Sequence, residues 1–138
     1  MTVKKFRGAS ADNFRLARSM VVDSPGVETY YCVQIPQFGF IRDVWLWVQE
    51  AGSSDNVQMG FVGNGAAIDD DYFLTETLAE ATATGFKRAG FTATITDTVW
   101  KPFEGLWLAS ASGTVTLTVD TAQTSGKFVV LVDYTIIH

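Results

Sequence analysis

The chain has 138 residues, of which 47% are hydrophobic and 18% charged, enough for one domain to bury a core without disulfides or metals. Its formal charge of −5 works against sequence-independent binding to nucleic acid, which needs clustered Lys and Arg to neutralise phosphates. No apolar run approaches the roughly 18 residues that span a bilayer, and MTVKKFRGAS lacks the apolar segment of a secretory signal, so the expectation is a soluble protein made in a cytoplasm, with neither membrane nor nucleic acid as partner.

Charge is uneven along the chain. Residues 1–18 hold Lys4, Lys5, Arg7, Arg15 and Arg18 against Asp12, a balance of +4 that leaves −9 for residues 19–138. Residues 1–13 therefore read as a basic arm ahead of a single domain at 14–138. Lys4, Lys5, Phe6 and Arg7 suit an acidic partner, and a solvated terminus is the plainer alternative.

Strands follow from Phe14 to Val22 and from Glu28 to Ile35, separated by a Pro25-Gly26 turn signal. Cys32, the only cysteine, lies in the apolar run TYYCVQI and is expected to be a small buried side chain rather than a disulfide or metal ligand. After Pro36 and Gly39 comes IRDVWLWVQE, Ile41 to Glu50. Strand side chains alternate between faces, which places Val44, Leu46 and Val48 on one side and Ile41, Asp43, Trp45, Trp47 and Gln49 on the other. Both faces want cover, and a sandwich hides one.

Two indoles expose roughly 300–500 Å², the size of patch that usually marks an interface. At about 25 cal/mol per Å² the pair contributes about 10 kcal/mol at most, against an association cost on the order of 4–15 kcal/mol, so a stable contact needs further area. Ile41, Trp45, Trp47 and Gln49 are thus the expected oligomer or partner interface. A loop or the N-terminal segment of the same chain is the alternative cover.

Val57 to Val62 forms the next strand, with Val57, Met59 and Phe61 on one face. In DDDYFLTETLAEATATG, Thr77 and Glu80 have capping-box spacing and Gly85 suits a helix C′ position, which predicts about two helical turns over Leu78 to Thr84. Phe91 to Thr96, Gly105 to Ala111 and Thr114 to Asp120 follow as strands, the threonines of FTATIT and TVTLTV facing water. Lys127 to Ile137 is apolar on both faces and reads as a central strand. About eight short strands with one short helix spell an all-β, antiparallel β-sandwich of jelly-roll type.

Enzyme chemistry finds little support. His138 is the sole histidine, which argues against histidine-dependent triads and zinc sites. A glycosidase-like carboxylate pair needs only two acids at a set separation, but no acid here has a catalytic context. Asp69, Asp70 and Asp71 are a weak calcium candidate, because adjacent side chains diverge and the D-x-D-x-D-G spacing is missing. No cofactor is expected. Trp45 and Trp47, about 6.5–7 Å apart on one strand face, have the spacing to underlie adjacent sugars in a carbohydrate-binding module, although only Asp43 and Gln49 stand beside them to read hydroxyls. Trp100 and Trp107 read as core or edge packing.

The arrangement from YYCVQIPQFGFIRDVWLWVQE through GFVGNGAAIDDDYFLTETLAEATATG to FVVLVDYTII resembles small β-sandwich structural proteins of tailed-bacteriophage particles. Those proteins share a Pro-containing turn before an I-x-D-V strand, Gly- and Asp-rich loop residues, an L-A-x-A helix and a V-x-V-D-Y strand. The resemblance spans roughly residues 28–138 and implies a non-enzymatic virion protein. On that basis the expected role is head decoration or cement: a homotrimer bound to the major capsid protein on the outside of the shell. A tail, baseplate or fibre component is the rival implied by the same resemblance.

Overall fold

Alternating apolar residues give this chain its strands, and the computed structural model describes them over residues 14–90 and 103–137. In chain order these are β1 (Phe14–Arg18), β2 (Val22–Asp23), β3 (Glu28–Ile35), β4 (Gly39–Glu50), β5 (Val57–Gly63), β6 (Ala66–Leu74), α1 (Glu76–Ala79), β7 (Gly85–Arg88), β8 (Leu106–Trp107), β9 (Gly113–Val119) and β10 (Lys127–Ile136). The larger sheet runs β1-β10-β4-β7, with β2 also on β10 and β8 also on β4, and the smaller runs β3-β9-β5-β6. Every pairing is antiparallel. Leaving out the two-residue strands β2 and β8, the others in chain order stand 1-8-3-6 against 2-7-4-5, the winding of a jelly roll.

The core lies between the sheets. Val44, Leu46, Val48, Phe128, Val130 and Val132 from the larger sheet meet Ile35, Val57, Met59, Val115, Leu117 and Val119 from the smaller, and Phe73, Leu74, Ala79 and Ala81 belong to the same buried cluster. β10 is central in its sheet, as its two apolar faces predict.

The structure departs from the sequence reading at identifiable places. Ile41 does not share the tryptophan face: it is 0% exposed and belongs to the core. The cause is a bulge, since the register across β10 steps from Asp133↔Asp43 to Tyr134↔Ile41. Arg42 is thus an extra residue, and an extra residue reverses the side-chain alternation. The helix is also shorter and earlier than the spacing predicts. Thr75, not Thr77, is its N-cap, accepting from the Leu78 N–H at 3.4 Å, and Glu80 ends it in a left-handed conformation. Gly85 opens strand β7 instead of capping a helix. Only Leu106 and Trp107 of the predicted Gly105–Ala111 strand are paired, and Trp107 is 50% exposed on that edge rather than packed away. Phe91 to Thr96 and Trp100 lie outside the described residues.

Thr116 and Thr118, expected to face water, are buried. The acidic run is responsible. β6 bulges where it pairs with β5, the register jumping from Met59↔Leu74 to Phe61↔Asp69, and its main chain folds over Gly60, the neighbour of Thr116 in the ladder. Asp70 accepts a 3.4 Å hydrogen bond from the Thr118 hydroxyl, itself 3.1 Å from that of Thr29. A Cβ at position 60 would stand 2.1 Å from the Asp69 carbonyl oxygen, so only glycine lets the covering strand approach. Gly60→Ala is expected to destabilise the fold by about 1–3 kcal/mol through this overpacking. Chemical denaturation measures it, and an unchanged midpoint would mean that the covering strand is not seated there.

Candidate interaction surface

Turned away from the core, the larger sheet presents a second apolar face. Residues directly opposite in a ladder point the same way, so the registers lay out its rows. Arg18, Leu131, Trp45 and Arg88 form one row across β1, β10, β4 and β7, and Val129, Trp47 and Phe86 form the next. Leu16 stands on the outer strand opposite Asp133. Leu16 and Phe86 are 69% and 62% exposed, and with Trp45 and Leu131 they line a shallow depression of about 250 Å³.

Neither indole is part of the core, and both are partly buried where they lie. Trp47 stacks on Phe86, ring centroids 5.1 Å apart at 14°, and the Arg18 guanidinium carbon stands 5.7 Å from its ring centre. The same sheet therefore supplies part of the cover, and the tryptophans expose less than bare indoles would. In exchange Phe86, on a strand that sequence reasoning missed, becomes the most open aromatic of this face. Its signal was present in GFKR, too short a segment to show alternation beside an apparent helix.

Charge frames the apolar surface. Asp43, 7% exposed, accepts from the Val44 N–H at 3.0 Å and from Arg88 Nε at 2.7 Å, while Arg42 reaches Asp133 at 2.6 Å. Asp43 is thus committed to protein partners. Gln49 occupies a second register break, between Val48↔Phe128 and Glu50↔Lys127, and is partly buried at the end of the tryptophan row. With Asp43 engaged and one face of Trp47 stacked by Phe86, this arrangement does not favour a sugar platform. Lys4, Lys5, Phe6 and Arg7 lie outside the described residues.

The other candidate chemistries fare differently. Asp69 and Asp71 are exposed and Asp70 turns towards Thr118, and among the described residues no three His, Cys, Asp or Glu side chains converge to hold a metal. Asp69 has an electrostatic effect nearby, raising the Tyr72 phenol above its ordinary range as a secondary contribution to burial. Glu76 and Asp120 do come together, and Glu76 lines a depression with Asp55, Asn56 and Thr77. Their carboxyls are close enough for Asp120 to perturb Glu76, and Asp120 also accepts from the Gln58 amide at 3.1 Å; neither lies in a cleft of the kind that holds a glycosidic bond between two carboxyls. Hydrogen bonding with the Asp120 carboxyl raises the Glu76 carboxyl above its ordinary value, with burial and the Asp120 charge adding to it.

No family model and no curated protein matches the sequence. Solved structures do share the fold. The chain is similar to one from the acidic stable capsid structure of Helicobacter pylori bacteriophage KHP30, with 18% identity, a TM-score of 0.57 and coverage of 89% of this chain and 87% of that one. It is also similar to a chain of the cyanophage Pam1 capsid asymmetric unit, at 13% identity, TM-score 0.60 and coverage of 99% and 94%. A chain from the capsid of Ralstonia phage GP4 matches at 14% identity, TM-score 0.53 and coverage of 99% and 92%. At these identities the likeness is one of fold.

Two outcomes are expected from this geometry. Leu46→Ala empties a core position and costs about 2–5 kcal/mol, whereas Trp47→Ala, one residue on, loses mainly its ring stacking, about 0.5–1.5 kcal/mol. Equal losses in urea would place Trp47 in the core after all. Because the Glu76 carboxyl is raised in the fold above its ordinary 4.5, the folded state binds more protons and stability falls as pH rises from about 4.5 through the folded value. Glu76→Gln should therefore raise the melting temperature near neutral pH and lose that advantage below about pH 4.5. A constant difference across pH would remove the carboxyl pair from the account.

Proposed function

We propose that the chain is a bacteriophage virion structural protein of the head-decoration or cement type, and that it works by burying surface rather than by catalysis. One observation carries the reading: a jelly roll shared along nearly its full length with chains of three phage capsid structures also presents an unpartnered apolar sheet face. Copies associate as a homotrimer and seat on the outside of a shell built by a major capsid protein, with Trp45, Trp47, Phe86 and Leu16 at the buried centre of a contact and Gln49 towards its edge. The basic segment Lys4, Lys5, Phe6 and Arg7 lies against an acidic neighbour, ahead of the sandwich domain at 14–138.

The physical logic is additive. Stable interfaces bury on the order of 800 Å² per partner, and the two tryptophans of this face are already partly buried within the molecule, so each contact is modest. Linking adjacent capsomers many times over compensates through avidity. The acidic body keeps unassembled copies apart and soluble. Among the described residues no helix is long and apolar enough to cross a membrane.

Light scattering on the purified chain, combined with cosedimentation on shells lacking it, tests this directly. A trimer that binds shells and raises their thermal or shear resistance is expected, and Trp45→Ala with Trp47→Ala should yield monomers or abolish shell binding. A double variant that keeps both properties would overturn the assignment of this face. Binding confined to tails would move the protein to the tail, baseplate or fibre.

A further inference from the structure

A second surface stands apart from the tryptophan face. Where the two sheets part, a groove of about 420 Å³ runs between the β1–β2 connection and β3, lined by Met20, Val21, Pro25, Tyr31 and Cys32, with Asp23 at its rim. Met20 and Tyr31 are 87% and 67% exposed. β3 is the edge of the smaller sheet, and among the described residues no strand pairs its outer side. An eight-residue edge of this kind offers unpaired N–H and C=O groups to another chain.

The charge of the groove selects its occupant. Asp23, which lines the groove, and Glu28, the first residue of β3, are both exposed, and Lys127, the ladder partner of Asp23, has its ammonium 3.7 Å from Glu50 instead. An apolar groove with acidic margins fits an extended segment that carries cations on either side of an aromatic ring. Residues 3–7, Val-Lys-Lys-Phe-Arg, have that composition.

We propose that residues 3–7 of a neighbouring copy lie along the free edge of β3, with Phe6 among Met20, Pro25 and Tyr31 and the flanking Lys and Arg facing Asp23 and Glu28. Chain direction argues for the neighbour over the same molecule. β1 begins at Phe14, opposite Thr135, and runs towards the groove, which opens at Ser19. To reach the groove of its own molecule, a segment joined ahead of Phe14 would have to turn back along the length of β1, about 16 Å. A segment from a neighbouring copy is free of that requirement. Phe6 reaches up to about 28 Å from Phe14, enough to cross a subunit boundary. The inference rests on the reading that copies lie side by side, and it adds a strap between them distinct from the tryptophan face.

Cys32 provides the test, being the only cysteine of the chain. In the full-length protein, Phe6→Cys and, separately, Lys5→Cys are oxidised with copper phenanthroline in alkaline buffer, since burial pushes the Cys32 thiol up to about 11. The expected result is a reducible intermolecular ladder on denaturing gels that disappears when Cys32→Ser is added and weakens severalfold with Asp23→Lys and Glu28→Lys. A compact, internally cross-linked monomer would show docking within one molecule and overturn the exchange. Links that survive Cys32→Ser, or no links from either variant, would remove the groove as the docking site. Light scattering on the same samples separates the two levels: an oligomer without links sinks only the strap, whereas a monomer sinks the assembly reading with it.

Discussion

A β-strand has two faces, and the paired strands β4 and β10 can give only one of them to the core. Their inner sides, Val44, Leu46 and Val48 against Phe128, Val130 and Val132, are sealed by the smaller sheet. Their outer sides, Trp45 and Trp47 against Leu131 and Val129, are as apolar as a second core, but no further sheet stands over them among the described residues. Everything else about the larger sheet responds to this. β7 supplies Phe86 to stack on Trp47, β1 brings Arg18 to its ring and Leu16 to the margin, and the Arg42 bulge sends Ile41 inward while Asp43 anchors Arg88. These contacts reduce the exposed apolar surface without removing it.

Such a face suits assembly better than catalysis. Apolar burial is non-directional and supplies the driving force for association, while the Asp43–Arg88 and Arg42–Asp133 pairs at its border are placed to set orientation rather than affinity. The smaller sheet behaves differently: its outer side is closed in part by the chain itself, where β6 folds across Gly60 and covers Thr116 and Thr118. The outer side of one sheet is thus partly covered by the chain's own backbone, while that of the other keeps an exposed apolar surface.

Legibility in the sequence followed the strength of the alternation. β5 and β9 were readable because their apolar residues recur every second position, β4 and β10 because both of their faces are apolar, and β3 because turn signals bracket its apolar run; the jelly roll followed from their number and short connections. The strands that escaped were those whose signal a tertiary feature interrupts. DDDYFL resembles a loop because its carboxylates hide a strand that exists to cross over a glycine, and GFKR is too short to show a period. Ile41 was placed on the wrong face because a single inserted residue, Arg42, is invisible to a period-two count. The tryptophans were recognisable as an outer face, yet Phe86 was not, since its membership depends on a ladder between residues some 40 positions apart.

The central claim is that the outer face of the β4–β10 ladder is covered by a neighbour in the assembled particle. A reconstruction of that particle at side-chain resolution measures it directly. The account predicts continuous density from another subunit over Leu16, Trp45, Trp47 and Phe86. Those four side chains standing in bulk solvent, with the subunit attached through some other surface, would contradict it.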